Sequence, residues 1–216
     1  MIETDFARTD LWFMLQGAGM TLALTFWAVL GGTLMGFVFG VVRAVAPAWI
    51  NVALGVVLDV FRSIPLLIQF ILANSFKSIV GIDLSAFSVA CVVLALYTSA
   101  YCAEIVRAGV LAVPTTTRRA ARSLGLTWWQ DLRLIVYPIA LRVSLPSWVG
   151  LTLGVMKDTS LVLWIGIVEL LRASQVIVTR IQEPLLVLML CGLIYFLMSY
   201  PDLALWRVPG VKVARP

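Results

Sequence analysis

The chain has 216 residues, 62% hydrophobic and 12% charged, with eight tryptophans and a mean hydropathy of +1.02. No soluble domain of this size hides that much apolar surface, so the composition calls for a bilayer, and the formal charge of +5 becomes a matter of topology rather than of nucleic-acid binding. The absence of histidine excludes zinc motifs of the HExxH kind and histidine proton relays, and with no GxxxxGK[ST] loop any energy from ATP must come through a partner.

In chain order, the N-terminal stretch "MIETDFARTD" is acidic and lacks the basic start of a cleavable signal peptide, so the first span is expected to stay in the mature protein. A charge-free run over residues 20–42 is long enough to cross a bilayer. Its Gly32, Gly36 and Gly40 fall four apart on one helical face, which predicts close approach of another helix. A second span is predicted over 48–76. It carries Asp59 and Arg62 one turn apart, and "RSIP" should kink it because Pro65 removes a backbone donor. A third covers 84–103 and ends at Glu104 and Arg107, which read as a local surface pair of little energetic weight. Cys91, Cys102 and Cys191 all sit in apolar runs without CxxC spacing, so they read as buried thiols, and no metal site is indicated.

Residues 107–137 interrupt the apolar pattern. Pro114 and Thr115 to Thr117 start a short helix that Gly125 should stop. Thr127 and Gln130 then form a capping-box pattern for a second short helix, with Asp131 in its first turn and an expected end near Tyr137, before Pro138. Two readings fit this basic helix pair: a docking handle for another protein, or an amphipathic connector whose arginines hold anionic lipid headgroups.

A fourth span is expected over 141–170 and a fifth over 185–206. Lys157 and Asp158 lie near the middle of the fourth. Each charge at a helix centre costs roughly 2.5–3.5 kcal/mol, so both should face the bundle interior or water. Asp158, Thr159 and Ser160 are capping types and predict a helix break with backbone donors turned toward a carboxylate. Lys157 and Asp158 then suit the two ends of an amino acid; the alternative is an internal structural ion pair, one that can include Arg62 and Asp59. Glu169, Arg172, Arg180 and Glu183 read as an outer loop. Five spans put the termini on opposite sides. The side holding Arg43, Arg107, Arg118, Arg119, Arg122, Arg133, Arg142, Arg207, Lys212 and Arg215 is predicted to be cytoplasmic, which leaves the N-terminus outside.

Four segments, "FRSIPLLIQF", "AEIVRAGVLAVP", "AARSLGLTWWQDLRLIVYPIALRVSLP" and "KDTSL", together resemble the membrane subunits of bacterial ABC importers for polar amino acids. The resemblance implies an all-α polytopic permease of the type I importer fold, with five transmembrane helices in a single domain over 1–216 and a cytoplasmic coupling helix pair. It places Arg119, Ala120, Ala121, Arg122, Leu124 and Gly125 in the EAA loop that docks onto the ATPase. It also puts Lys157, Asp158, Thr159 and Ser160 near the amino acid, with Arg62 as a further lining candidate. The implied partners are an ATPase dimer that binds ATP and Mg, a second permease subunit, identical or related, a periplasmic solute-binding protein and membrane lipid. No nucleic acid, no cofactor in this chain and no catalytic residue is implied. The family's usual glutamate is Arg119 here, and Ser63 and Ile64 stand where Gly-Thr is more common. The rival classes are an ion-coupled secondary transporter and a membrane assembly protein with no solute path.

Overall fold

A computed structural model describes residues 6–205 of the chain; the predicted end of the last span at Trp206, and Arg207, Lys212 and Arg215, lie outside them. Among the described residues every regular element is helical. They run α1 Arg8–Val45, α2 Ala48–Ser63, α3 Leu66–Val80, α4 Ala86–Leu111, α5 Thr115–Ser123, α6 Trp128–Asp131, α7 Tyr137–Asp158, α8 Leu170–Ile181 and α9 Pro184–Leu205. A π-helical turn, Leu132–Val136, joins α6 to α7, and a 3-10 turn, Thr159–Ile165, follows α7.

Between membrane helices the hydrophobic effect contributes little, because lipid tails are as apolar as leucine; close packing decides which helices meet. The glycine face of α1 shows this. A β-carbon at Gly32 would lie 2.5 Å from Thr98 Cβ, at Gly36 2.5 Å from Cys102 Cβ, and at Gly40 2.5 Å from the Ala103 carbonyl oxygen. The glycines therefore let α4 lie against α1 along most of its length, as their spacing predicts. Around this pair, Leu24, Phe70, Val93, Leu94, Val155 and Val162 bring α1, α3, α4, α7 and the 3-10 turn into one buried cluster. A second cluster, with Met14, Ala18, Leu170, Ile177, Val187 and Cys191, binds the start of α1 to α8 and α9. Cys102 and Cys191 are buried and Cys91 half-buried, all as free thiols. Large side chains such as Trp49, Ile79 and Met189 stay exposed, as suits a surface that meets lipid.

Four stretches are long and apolar enough to cross a membrane, and α2 with α3 supplies a fifth if the pair crosses as one. Several boundaries differ from expectation. The first helix begins at Arg8, well before residue 20, because the Ala7 N–H bonds to Asp10 Oδ2 at 2.9 Å and Asp10 pairs with Arg180 of α8 at 2.5 Å. At 38 residues it is about 57 Å long, almost twice the hydrocarbon thickness. The span expected over 48–76 is two helices bent by 98°, since Ile64 is extended and Pro65 cannot donate. Gln69 closes this break: its amide donates to the Phe61 and Ile64 carbonyls, both at 2.8 Å.

The fourth span runs without a stop from the elbow into α7 and, through the 3-10 turn after Asp158, ends at Ile165 rather than Leu170. The expected stop at Tyr137 does not occur. The π turn widens the helix ahead of Pro138, with Tyr137 N–H bonded to the Leu132 carbonyl, and this wider pitch accommodates the ring. Residues 169–183 are largely the helix α8 rather than an outer loop, with Leu170, Ala173, Ser174 and Ile177 buried on one face.

Candidate functional site

The elbow between α4 and α7 is built by local chemistry. Gly125, at φ +84°, ends α5 in a Schellman closure: its N–H bonds to the Arg122 carbonyl at 3.0 Å and the Leu126 N–H to the Ala121 carbonyl at 3.2 Å. The capping box predicted for α6 is present. Thr127 N–H donates to Gln130 Oε1 at 2.8 Å, and Gln130 N–H to Thr127 Oγ1 at 3.3 Å. Asp131 does more than sit at a helix start. Fully buried, it accepts from Arg118 Nε at 3.0 Å, with Arg122 3.9 Å away, and so locks α5 to α6. Beneath them Val113, Val136 and Ala140 form a small apolar base with Leu132 and Ile135. Ala121 is buried, while Arg119, Ala120, Arg122, Gly125 and Leu124, 82% exposed, face outward. Trp128 and Trp129 stack at 5.6 Å on the same outer surface. The outcome is an exposed, cationic elbow with a small hollow lined by Thr115, Arg118, Arg119 and Arg122.

The second feature is the end of α7. Lys157 is exposed, Asp158 and Ser160 are half-buried and Thr159 is fully buried. Neither Lys157 nor Asp158 forms an ion pair among the described residues. The helix breaks where the capping residues predict. The expected free backbone donors are absent, however, because the 3-10 turn follows directly and Thr159 N–H is spent on the Val155 carbonyl, while its hydroxyl donates to the Met156 carbonyl at 2.7 Å. Tyr97 of α4 lies within electrostatic reach of Asp158 and packs on Tyr101, ring centroids 4.9 Å apart.

Arg62 is not beside these charges. It pairs with Asp59 and lines a cleft of about 500 Å³ with Tyr101, Glu104, Ser144, Ser147 and Leu151. Leu151 and Asp158 are seven residues apart on α7, about 10 Å of helix rise. Glu104 is no mere local pair. Besides Arg107 at 3.1 Å it binds Arg43 from α1, whose Nε also donates to Asn51 Oδ1 at 3.2 Å. Sequence reasoning missed this network and the tyrosine pair, although Tyr97, Tyr101 and Glu104 share a one-turn spacing along α4 that marks one polar face of a span. Glu169, expected in a loop, is fully buried. It caps α8 through the Leu171 and Arg172 N–H groups at 2.8 and 2.7 Å and accepts from the Tyr195 hydroxyl at 3.1 Å.

A bent helix pair, a polar helix face and a cationic elbow beside a span are features of a transporter's membrane subunit, and comparison with known proteins decides which kind. The family model for inner membrane components of binding-protein-dependent transport systems matches residues 28–201. The chain belongs to this family. It is thus an all-α ABC importer permease, a transport component of the inner membrane rather than an enzyme, and its system includes ATPase and solute-binding partners. Similar relatives include YckA of Bacillus subtilis, a probable amino-acid ABC transporter permease 32% identical over 91% of this chain and 87% of its own length. GltK of Escherichia coli, a glutamate/aspartate import permease, is 31% identical over 92% of this chain and 93% of its own. GlnP of Escherichia coli, from a glutamine transport system, is 34% identical over 76% of each. Among solved structures, an amino acid ABC transporter crystallised with histidines superposes with a TM-score of 0.79 at 32% identity, over 89% of this chain and 90% of that one. The MetNI methionine ABC transporter, at TM-score 0.76 and 22% identity, covering 94% of this chain and 98% of its own, shares the fold.

Proposed function

We propose that this permease imports a polar amino acid, with Lys157, Asp158, Thr159 and Ser160 at the solute path and Arg62 further along it. The observation that carries this reading is the pair of adjacent, opposite, unpartnered charges at the break ending α7. Charges of this kind inside a membrane protein are too costly to keep without a use, and an amino acid presents an ammonium for Asp158 and a carboxylate for Lys157. The glutamate/aspartate import of the relative GltK and the glutamine transport of GlnP support the solute class.

Arg119, Ala120, Ala121, Arg122, Leu124 and Gly125 form the surface that meets the ATPase, a dimer that holds ATP and Mg, and its closure moves the elbow. A periplasmic protein delivers the solute to a pair of permease subunits, identical or related. The residues 1–216 act as one permease domain. The cationic side, with the elbow, faces the cytoplasm, and the N-terminus faces the periplasm.

The test is reconstitution with the ATPase and binding protein in proteoliposomes, using radiolabelled glutamate, glutamine, arginine and histidine. Uptake of at least one should require ATP, stop with vanadate and survive an uncoupler. Asp158→Asn should lower it about tenfold or more, the equivalent of one charge-assisted hydrogen bond. Uptake that collapses with the uncoupler at constant ATP means ion coupling instead. No uptake of any of the four refutes the solute class.

A further inference from the structure

The cleft around Arg62 lies about 10 Å along α7 from Asp158, apart from the Lys157 and Asp158 end of the solute path. Its walls come from three elements: Arg62 from the end of α2, Tyr101 and Glu104 from α4, and Ser144 and Ser147 from α7. Gln69, bonded to carbonyls on both sides of Arg62, fixes the bend that delivers the guanidinium to this position.

The electrostatics of the cleft are specific. Arg62 has one ion-pair partner, Asp59, on its own helix and 57% exposed, so most of the five guanidinium N–H donors remain free. Glu104 is held from behind by Arg43 and Arg107. Among the residues that line the cleft the charged groups are Arg62 and Glu104, and with both Glu104 oxygens held by Arg43 and Arg107 the free donors of Arg62 are what a solute meets. Such a cleft suits a solute with a carboxylate, and the serine hydroxyls supply acceptors for an ammonium on the same small molecule. Tyr101, which lines the cleft, packs its ring on that of Tyr97 one turn along α4.

From this juxtaposition we infer that the cleft is a second binding station, in which the Arg62 guanidinium takes the carboxylate of an amino acid zwitterion after it leaves Lys157 and Asp158. This rests on the amino acid reading above.

The experiment uses the full complex in nanodiscs, with Ser147→Cys as reporter and the labelling of the chain's own three free cysteines as background. Modification by a hydrophilic maleimide is timed with and without each of glutamate, glutamine, arginine and histidine, in the parent and in Asp158→Asn. At ten times its dissociation constant a ligand seated in the cleft should slow modification about tenfold in both backgrounds, since occupancy of the cleft does not need Asp158. Arg62→Gln should remove that protection, and Arg62→Lys, which keeps the charge but not the fork, should retain part of it. Tyr101→Ala serves as an independent second variant if the Arg62→Gln complex fails to assemble. Protection that vanishes with Asp158→Asn alone, that survives Arg62→Gln, or that appears without amino acid when phosphatidylserine is added to the nanodisc overturns the inner station. So does its absence for all four. Protection in a complex that transports none of them would keep the station and refute the transport reading instead.

Discussion

Gly36 faces Cys102 with no room for a methyl group between them. Gly36→Leu should therefore lower stability by about 1–3 kcal/mol, the usual range for overpacking, read as a fall in the melting temperature of the detergent-solubilised subunit. Gly19→Ala, where a β-carbon meets nothing within 4 Å, should leave it unchanged. The contrast was legible in part, because Gly32, Gly36 and Gly40 repeat at the spacing of one helix face. Asp131 was not legible in the same way. Its position in a first turn suggests a solvated carboxylate, whereas Arg118, thirteen residues earlier, returns across the Gly125 turn to bury it. Asp131→Asn leaves Arg118 without its counter-charge and should cost about 1–3 kcal/mol, after allowance for the partial exposure of Arg118. Faster limited proteolysis between residues 107 and 137 would report the loss.

At the level of elements, the elbow follows from rules that act over three or four residues: the Thr127–Gln130 box and the left-handed Gly125 are both where the residue types place them. Gly125→Asp adds a side chain at φ +84° and a negative charge to the outer surface, so it should leave the subunit inserted yet abolish co-purification with the ATPase. Normal co-purification with normal transport would remove the docking role from this surface. The rule that failed is the one for Pro138. A residue before proline usually leaves the helical region, but the π turn absorbs the ring, and the elbow becomes continuous with the span it leads into. Helix thus runs from Trp128 to Asp158, with the π turn and Pro146 within it.

For the whole molecule, topology is the testable quantity. Leu124→Cys, at the most exposed point of the elbow, should react with an impermeant maleimide in inside-out vesicles and not in intact cells. Reaction from the outside would invert the arrangement and with it the site of ATPase docking. The permease also shows how the charges left within its apolar frame are distributed. Asp10–Arg180 and Arg43–Glu104 tie distant elements, Glu169 is consumed in capping α8, and Lys157 and Asp158 stand adjacent at a helix break without an ion pair among the described residues.

Residence in the membrane, the helical class, the approximate spans and the chemistry of the elbow are properties of the amino-acid order, because hydropathy windows, caps and glycine periodicity depend on neighbours close along the chain. The partners of Glu104, Asp10 and Glu169, the 98° bend held by Gln69 and the cleft around Arg62 came only with the folded bundle. Asp10 and Arg180 are separated by 170 positions, and Arg43 and Glu104 by 61. Whether such groups meet depends on the register in which one helix lies against another, and that register is chosen by packing across the whole bundle rather than by any local pattern.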